Sequence, residues 1–418
     1  MTVLDNKTNS SNTTNFLIFL LLFEFSVYIA NDLIMPGMIE VVKDFAVSDL
    51  YIASSLSVFI LGGASLQLFL GPLSDKYGKR KIMLFGVLVF LLSSLANSLS
   101  TSINQFMISR FFQGMGICYV GVIGYATIQE MFKEKKAVKI ISIMTSISIL
   151  APLLGPLIGS MFLEHFHWRW LNAIIVSLGS IALIGLYFFF PNKTNSMVIE
   201  STPKKNKENL FIESVKNYKS ILKNKKFMLG VFAFGCVEIP LVLWIALSPI
   251  VLIRKADLTQ FEYGVYQIPV FGMFILGVAV LQLMLKSSSL EKIIIKGSVI
   301  VGLGLILSFM LPTLLNQHHL ATVIPYALYA LGLGMISSPI SRLVLFSSSV
   351  SKGSVAGIFS LITMIMFGVG TELAGILYRT QNNIILGGIG LTLFVLYVFT
   401  IKHLIKSDVQ SKTVKQAA

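Results

Sequence analysis

The sequence predicts an all-α membrane protein of twelve spans, arranged as two six-helix halves. Three observations predict it: the scarcity of charge, the length of the apolar runs and an internal repeat. Of 418 residues, 55% are hydrophobic and only 12% are charged; mean hydropathy is +0.81. A soluble domain carries about 25% charged residues, so this chain lacks the charge to wet a globular surface. Twelve spans of about 20 residues need roughly 240 apolar positions, close to the share present. These numbers exclude a soluble enzyme, a disordered chain and a nucleic-acid-binding domain. The sequence holds no G-x-x-x-x-G-K-[ST] and no H-E-x-x-H, which argues against an ATP-driven pump or a zinc-dependent membrane enzyme.

Apolar runs of helical length fall at 15–38, 50–70, 82–100, 104–128, 138–161, 168–190, 227–251, 262–285, 292–314, 320–345, 354–377 and 383–404. The long break at 191–226 is polar and Lys-rich. It divides the chain into a six-helix bundle at 1–190, a linker at 191–226 and a second six-helix bundle at 227–418. Basic residues alternate sharply between the two sets of loops, 26 on the side of both termini and the central loop against 5 on the other. By the positive-inside rule both termini and the linker are expected in the cytoplasm. The net charge of +14 is then an orientation signal. The first run follows a polar leader without a basic segment and reads as a retained span, not a cleaved signal. Cys118 and Cys236 lie in apolar runs and form no disulfide framework, and His165, His167, His318, His319 and His403 have no metal-ligand spacing. No metal is expected.

Residues 59–70 (FILGGASLQLFL) and 274–285 (FILGVAVLQLML) agree at nine of twelve positions. The match aligns span 2 with span 8, so the halves repeat in parallel. Parallel six-span repeats describe the fold of the major facilitator transporters, whose substrate site lies between repeats near mid-membrane.

The loop after span 2 reads Gly71-Pro-Leu-Ser-Asp75-Lys-Tyr-Gly78-Lys-Arg80-Lys. Gly71 and Gly78 permit a tight turn, and Asp75 suits a helix cap or a cation partner. The stretch resembles the G-x-L-x-D-x-x-G-R-R motif of that superfamily, which braces the cytoplasmic gate. The resemblance implies that Asp75 faces the start of span 11 near Ser351–Ser354, and Glu130 is a candidate partner for Arg80. Arg110-Phe-Phe-Gln113-Gly114 in span 4 resembles R-x-x-Q-G. Ala151-Pro152-Leu-Leu-Gly155-Pro156-Leu-Ile-Gly159 in span 5 resembles the G-P-x-x-G-P-x-x-G motif of proton-coupled antiporters, with Ala in the first place. Its prolines leave backbone carbonyls unpaired and bend the helix, and its glycines admit a close neighbour.

Span 1 holds Glu24, Tyr28, Asn31 and Asp32. At about 100° per residue all four share one stripe, the two acids roughly 12 Å apart along the axis. A carboxylate in a span costs a few kcal/mol and is expected to face a cavity and serve a function. Asp32 and Arg110 both lie about 9 Å inside the outer boundary, so a coupled pair is expected, in which protonating Asp32 weakens its hold on Arg110.

Together with Y-G-x-x-Q-x-P-x-F-G (263–272), R-L-x-L-F-x-S (342–348) and G-x-E (370–372), these segments resemble the MdfA-type multidrug/proton antiporters over nearly the whole chain. The resemblance implies a multi-pass protein of the bacterial cytoplasmic membrane, expected as a monomer. It implies exchange of lipophilic, often cationic compounds for protons, with the proton gradient as energy source and no cofactor. It assigns proton coupling to Glu24, Asp32 and Arg110. One departure is Glu238 in span 7, where a neutral residue is expected of such a protein. It lies 214 residues after Glu24, close to the repeat offset of 215. It reads either as a further substrate-binding acid or as a permanently neutral one, and it leaves the substrate range open. Arg342 serves either snorkelling or gate pairing, and Glu372 has no evident partner. The alternative function is a dedicated carrier of one metabolite, such as a siderophore or an amino-acid-like compound.

Overall fold

A chain in lipid must satisfy its backbone hydrogen bonds internally, and helices do this within one segment. The computed structural model describes residues 2–132, 134–191, 218–315, 318–348, 352–380 and 382–417, and no strand occurs among them. The linker expected at 191–226 lies mostly outside the described residues.

The first helices are α1 (Thr2–Asp32), α2 (Met38–Asp44), α3 (Leu50–Ser65), α4 (Leu70–Tyr77) and α5 (Lys79–Leu99). Then come α6 (Ile103–Met131), α7 (Glu134–Leu163) and α8 (Arg169–Phe189). The second set is α9 (Lys225–Lys255), α10 (Gln260–Met284), α11 (Leu290–Leu314), α12 (Leu320–Leu345), α13 (Lys352–Leu377) and α14 (Asn383–Ala417). Among the described residues ten helices are long and apolar enough to cross a membrane, and Leu50–Ser65 and Leu150–Leu163 are shorter apolar helices.

Caps explain several starts. Asn224 accepts from the Lys226 and Phe227 N–H groups at the head of α9. Thr259 and Glu262 form a reciprocal capping box at the head of α10.

The structure departs from the sequence reading at one boundary and one turn, and adds a feature inside span 4. The first span was expected to run to residue 38, but α1 stops at Asp32 and the chain turns before α2. The span 2/3 connection was expected as a tight turn using both glycines. Instead Gly71 lies inside α4 with open space about it, and Gly78 alone makes the turn, at φ 95°. Span 4 is not uniformly α-helical, because Tyr119–Gly124 forms a π-helical segment, a local widening common near functional groups.

The chain divides into two compact units. One is Met1–Val47 with Val58–Phe211, and the other is Ser48–Ser57 with Ile212–Ala418. The first turns of α3 therefore group with the second unit. In the first unit α1 packs on α7 and α8, and α5 packs on α6 and α8. In the second, α12 packs on α10 and α11, and α14 packs on α9 and α11.

One crossing recurs in each unit. A Cβ at Gly62 would sit 2.0 Å from the Phe111 carbonyl oxygen, and one at Gly114 would sit 1.9 Å from that of Phe59. In the second unit Gly277 faces the Leu331 carbonyl oxygen at 2.1 Å, and Gly334 faces that of Phe274 at 2.2 Å. Only glycine permits backbones this close. Gly62 and Gly277 are the matched glycines of the sequence repeat.

Candidate functional site

In the first unit the stripe on α1 meets α6. Glu24, Asn31 and Asp32 are buried, at 0%, 7% and 4% exposure, while Tyr28 is half-buried one turn beyond Glu24. Arg110 is also buried. Its Nη2 donates to Asn31 Oδ1 at 2.6 Å, and Asn31 Nδ2 donates to Asp32 Oδ1 at 3.1 Å. The hydrogen-bonded path from Arg110 to Asp32 thus runs through Asn31. On its other side Arg110 Nη1 donates to Gln113 Oε1 at 2.9 Å and to the Ala30 carbonyl at 3.4 Å. Gln113 Oε1 also accepts from Asn97, and Gln113 Nε2 donates to Ser94. The guanidinium carbon lies 4.5 Å from the centre of the Phe59 ring, a cation–π contact. A buried charge survives only where its donors are occupied, and this chain of amides occupies them.

The span 5 motif meets the same place. A Cβ at Gly155 would lie 2.5 Å from Asp32 Cβ, and one at Gly159 would lie 2.2 Å from the Leu33 carbonyl oxygen. The glycines bring α7 against the backbone that carries Asp32. Pro152 and Pro156 lie inside that helix.

Glu24 accepts from the Tyr125 hydroxyl at 2.9 Å. Its other carboxylate oxygen is buried with no partner among the described residues, and one oxygen of a buried acid is thereby left for a proton or a ligand. Sequence reasoning missed Tyr125; a tyrosine inside an apolar run was its only signal.

The motif after span 2 is only partly visible. The Asp75 side chain and Ser351–Ser354, its expected counterpart, lie outside the described side chains. Glu130 forms its ion pair with Lys79, not the expected Arg80. Arg80 instead donates to the Tyr187 carbonyl and lies 5.6 Å from the centre of that ring. His167 meets Asp44 at 2.9 Å, and Trp168 Nε1 donates to the same carboxylate.

In the second unit the fully buried hydrogen-bonded network is neutral. Trp244 Nε1 donates to Gln267 Oε1 at 2.7 Å, Gln267 Nε2 donates to Ser248, and Ser248 meets the Tyr263 hydroxyl. Glu238 is half-buried on α9. Glu372 does have a partner, since Ser54 donates to it at 2.9 Å. Nearby, Arg254 pairs with Asp49 at 3.3 Å. Arg342 is exposed at the end of α12, over the ring of Phe346. Cys118 and Cys236 are free and buried.

A family model described as the Major Facilitator Superfamily matches residues 20–371. The multidrug transporter MdfA of Yersinia pestis bv. Antiqua (strain Angola) is 39% identical over 360 residues, covering 86% of each chain. The multidrug transporter MdfA of Escherichia coli O6:H1 is 36% identical over 355 residues, covering 85% of each. Among solved structures, a D-xylose-proton symporter matches with a TM-score of 0.68 at 15% identity, over 91% of this chain and 97% of that one. A bacterial homologue of the human lysosomal transporter Spinster, inward-facing, matches at 0.65 and 14%, over 94% and 95%. At such identities the structural likeness speaks for the fold alone. The family model spans most of the chain and the two relatives extend along nearly its whole length, so the chain belongs to the major facilitator superfamily and, within it, to the MdfA-type multidrug transporters.

Proposed function

We propose that the protein exports lipophilic, often cationic compounds across a bacterial cytoplasmic membrane in exchange for protons. The observation that carries this reading is the buried path Asp32–Asn31–Arg110–Gln113, pressed by Gly155 of the span 5 motif. Such a path makes the charge on Asp32 a determinant of how α1, α6 and α7 pack. A proton on Asp32 removes the charge that Arg110 sees through Asn31. A cationic substrate that displaces the proton restores that charge, and the packing preference reverts. Glu24, with one oxygen already held by Tyr125, offers its other oxygen to a proton or to the substrate cation. Tyr28 and Asn31 complete the proposed substrate-binding set of the first unit, and Glu238 is the proposed substrate-binding acid of the second. The sharp excess of basic residues in alternate loops supports a cytoplasmic position for both termini. The energy source is the proton gradient and no cofactor takes part.

The test is proton release from purified protein when a lipophilic cation such as tetraphenylphosphonium is added in weakly buffered detergent solution. Wild type is expected to release protons in proportion to bound cation, and Glu24→Gln combined with Asp32→Asn is expected to release none. Undiminished release from the double variant would overturn the mechanism. A single metabolite giving release where no lipophilic cation does would overturn the substrate class.

A further inference from the structure

The amide chain that holds Arg110 does not stop at Gln113. A guanidinium has no acceptor, so Arg110 holds Gln113 with Oε1 turned toward it. The same oxygen accepts from Asn97 Nδ2 at 3.1 Å. Asn97 must therefore present its nitrogen to Gln113, and its own oxygen is left over. Asn97 is fully buried, and that oxygen has no partner among the described residues.

A second amide carries the complementary orphan. Asn172 on α8 is 4% exposed, and its Nδ2 has no partner among the described residues. One leftover group is an acceptor and the other a donor. Their helices, α5 and α8, pack on each other. A Cβ at Gly179 would lie 2.7 Å from Leu91 Cδ2 and 3.4 Å from Phe90 Cε1, and Ser98 Oγ donates to the Arg169 carbonyl at 3.0 Å. Rising numbers on α5 thus meet falling numbers on α8, so the pair is antiparallel. Seven residues are about two turns and return to the same stripe. Asn97 comes seven residues after Phe90, and Asn172 comes seven residues before Gly179. Both therefore lie about 10 Å along from that contact, on the faces that make it. Just beyond them the Ser98 bond closes the seam, and Arg169 Nη2 donates to the Ser100 carbonyl at 2.8 Å. Buried polar groups are almost always satisfied. A water seated here would accept from Asn172 Nδ2 and donate to Asn97 Oδ1.

We infer that α5 and α8 hold a buried water between Asn97 Oδ1 and Asn172 Nδ2, and that Asn97 is a positioning residue for Arg110. The water fixes the Asn97 amide. Asn97 and Arg110 together occupy Gln113 Oε1. Gln113 in turn fixes the guanidinium that meets Asp32 through Asn31. The positioning role rests on the proposed exchange of cations for protons, whereas the water site rests on the two amides alone.

Two measurements on the purified full chain test it. A structure in lipid nanodiscs, at a resolution that shows ordered waters, is expected to place one within hydrogen-bond distance of both amides. Direct contact between the amides, or a dry gap, overturns the site. The positioning role is read from the pH midpoint of proton release on adding tetraphenylphosphonium. Asn97→Leu and Asn172→Leu are each expected to displace it by about half a pH unit, about threefold in proton affinity. The double variant is expected to move it no further, because both residues act through one water. Asn172→Ser keeps a polar group and leaves room for water, and is expected to return the midpoint toward that of wild type. Thermal melting confirms that each variant is folded. A melting loss with an undisplaced midpoint overturns the positioning role, as do additive displacements. If wild type releases no protons, the exchange reading and the positioning role fall together, while the water stands or falls on the nanodisc structure.

Discussion

The two units share a crossing but not an interior. Each presses a glycine of one helix onto a carbonyl of the next and receives a glycine in return: Gly62 and Gly114 in the first, Gly277 and Gly334 in the second. On that common frame the first unit buries Glu24, Asp32 and Arg110, the last two linked through the Asn31 amide. The second instead buries Trp244, Gln267, Ser248 and Tyr263, which are neutral and satisfy one another. The frame is therefore independent of the chemistry placed on it. A neutral network is a rigid support whose energy does not change with protonation. A charged one responds to a proton, because every member's hydrogen bonding depends on its neighbour's charge.

The largest effect should come from removing the cation. Arg110→Met takes one donor each from Asn31 and Gln113 and leaves Asp32 without its positive charge. Breaking a buried ionic network at one member costs about 3–5 kcal/mol. Melting in detergent should show that loss, and cation-induced proton release should vanish. Gln267→Leu in the second unit should cost less, about 1–3 kcal/mol for the groups it orphans, and proton release should survive. Equal costs, or loss of release in both variants, would break the distinction between a responsive interior and a supporting one.

The shared frame predicts equality where the interiors predict difference. Gly114→Ala and Gly334→Ala each place a methyl about as close to a backbone oxygen as the other does. Overpacking of this kind costs typically 1–3 kcal/mol, so the two variants should melt lower by similar amounts. Gly155→Ala sharpens the point, because its methyl meets Asp32 itself. Its effect on proton release should exceed what its melting shift accounts for.

Much of this was readable in the sequence for a physical reason. Lipid tolerates few charges, so each one inside a span advertises a site, and Glu24, Asp32, Arg110 and Glu238 were singled out partly on that ground. Apolar length located the spans, and the repeat located the glycine of the common crossing. What stayed hidden was mediation. Asn31 was read only as part of the polar stripe, yet it carries the link between Arg110 and Asp32. Gln113 was seen only as a motif letter, and Tyr125 and Tyr329 went unseen. Neutral hydrogen-bonding groups carry little penalty in a span, so composition does not mark them, and their partners lie on other helices. The pairing of Glu130 went to Lys79 instead of Arg80 because adjacent cations at a helix head are indistinguishable by sequence.

Two tyrosines offer a finer comparison. Tyr125 donates to an acid, and Tyr329 bonds only backbone groups. A hydrogen bond to a neutral group is worth about 0.5–1.5 kcal/mol and one to a charged group about 1.5–3. Tyr329→Phe should therefore cost about 1 kcal/mol at every pH. Tyr125→Phe should cost about the same in acid, where Glu24 carries its proton, and about 2 kcal/mol once rising pH ionises it. Melting both variants from pH 5 to pH 9 measures the difference. A flat profile for Tyr125→Phe would mean that the charge of Glu24 does not change over that range.

The smallest effects should come from the ion pairs near the surface, one in each unit. Lys79–Glu130 belongs to the first and Arg254–Asp49 to the second, with partly exposed side chains in both. Such pairs are worth about 0–1 kcal/mol, and salt screens them over about 8–10 Å. Lys79→Met and Arg254→Met should each shift melting by under about 1 kcal/mol, and the shift should shrink in high salt. These pairs lie outside the interiors, so the difference between charged and neutral cores should not reach them. A salt-independent loss above about 2 kcal/mol at Lys79 alone would place that pair with the buried charges, and the responsive region of the first unit would then extend to the end of the bundle where α4 turns into α5.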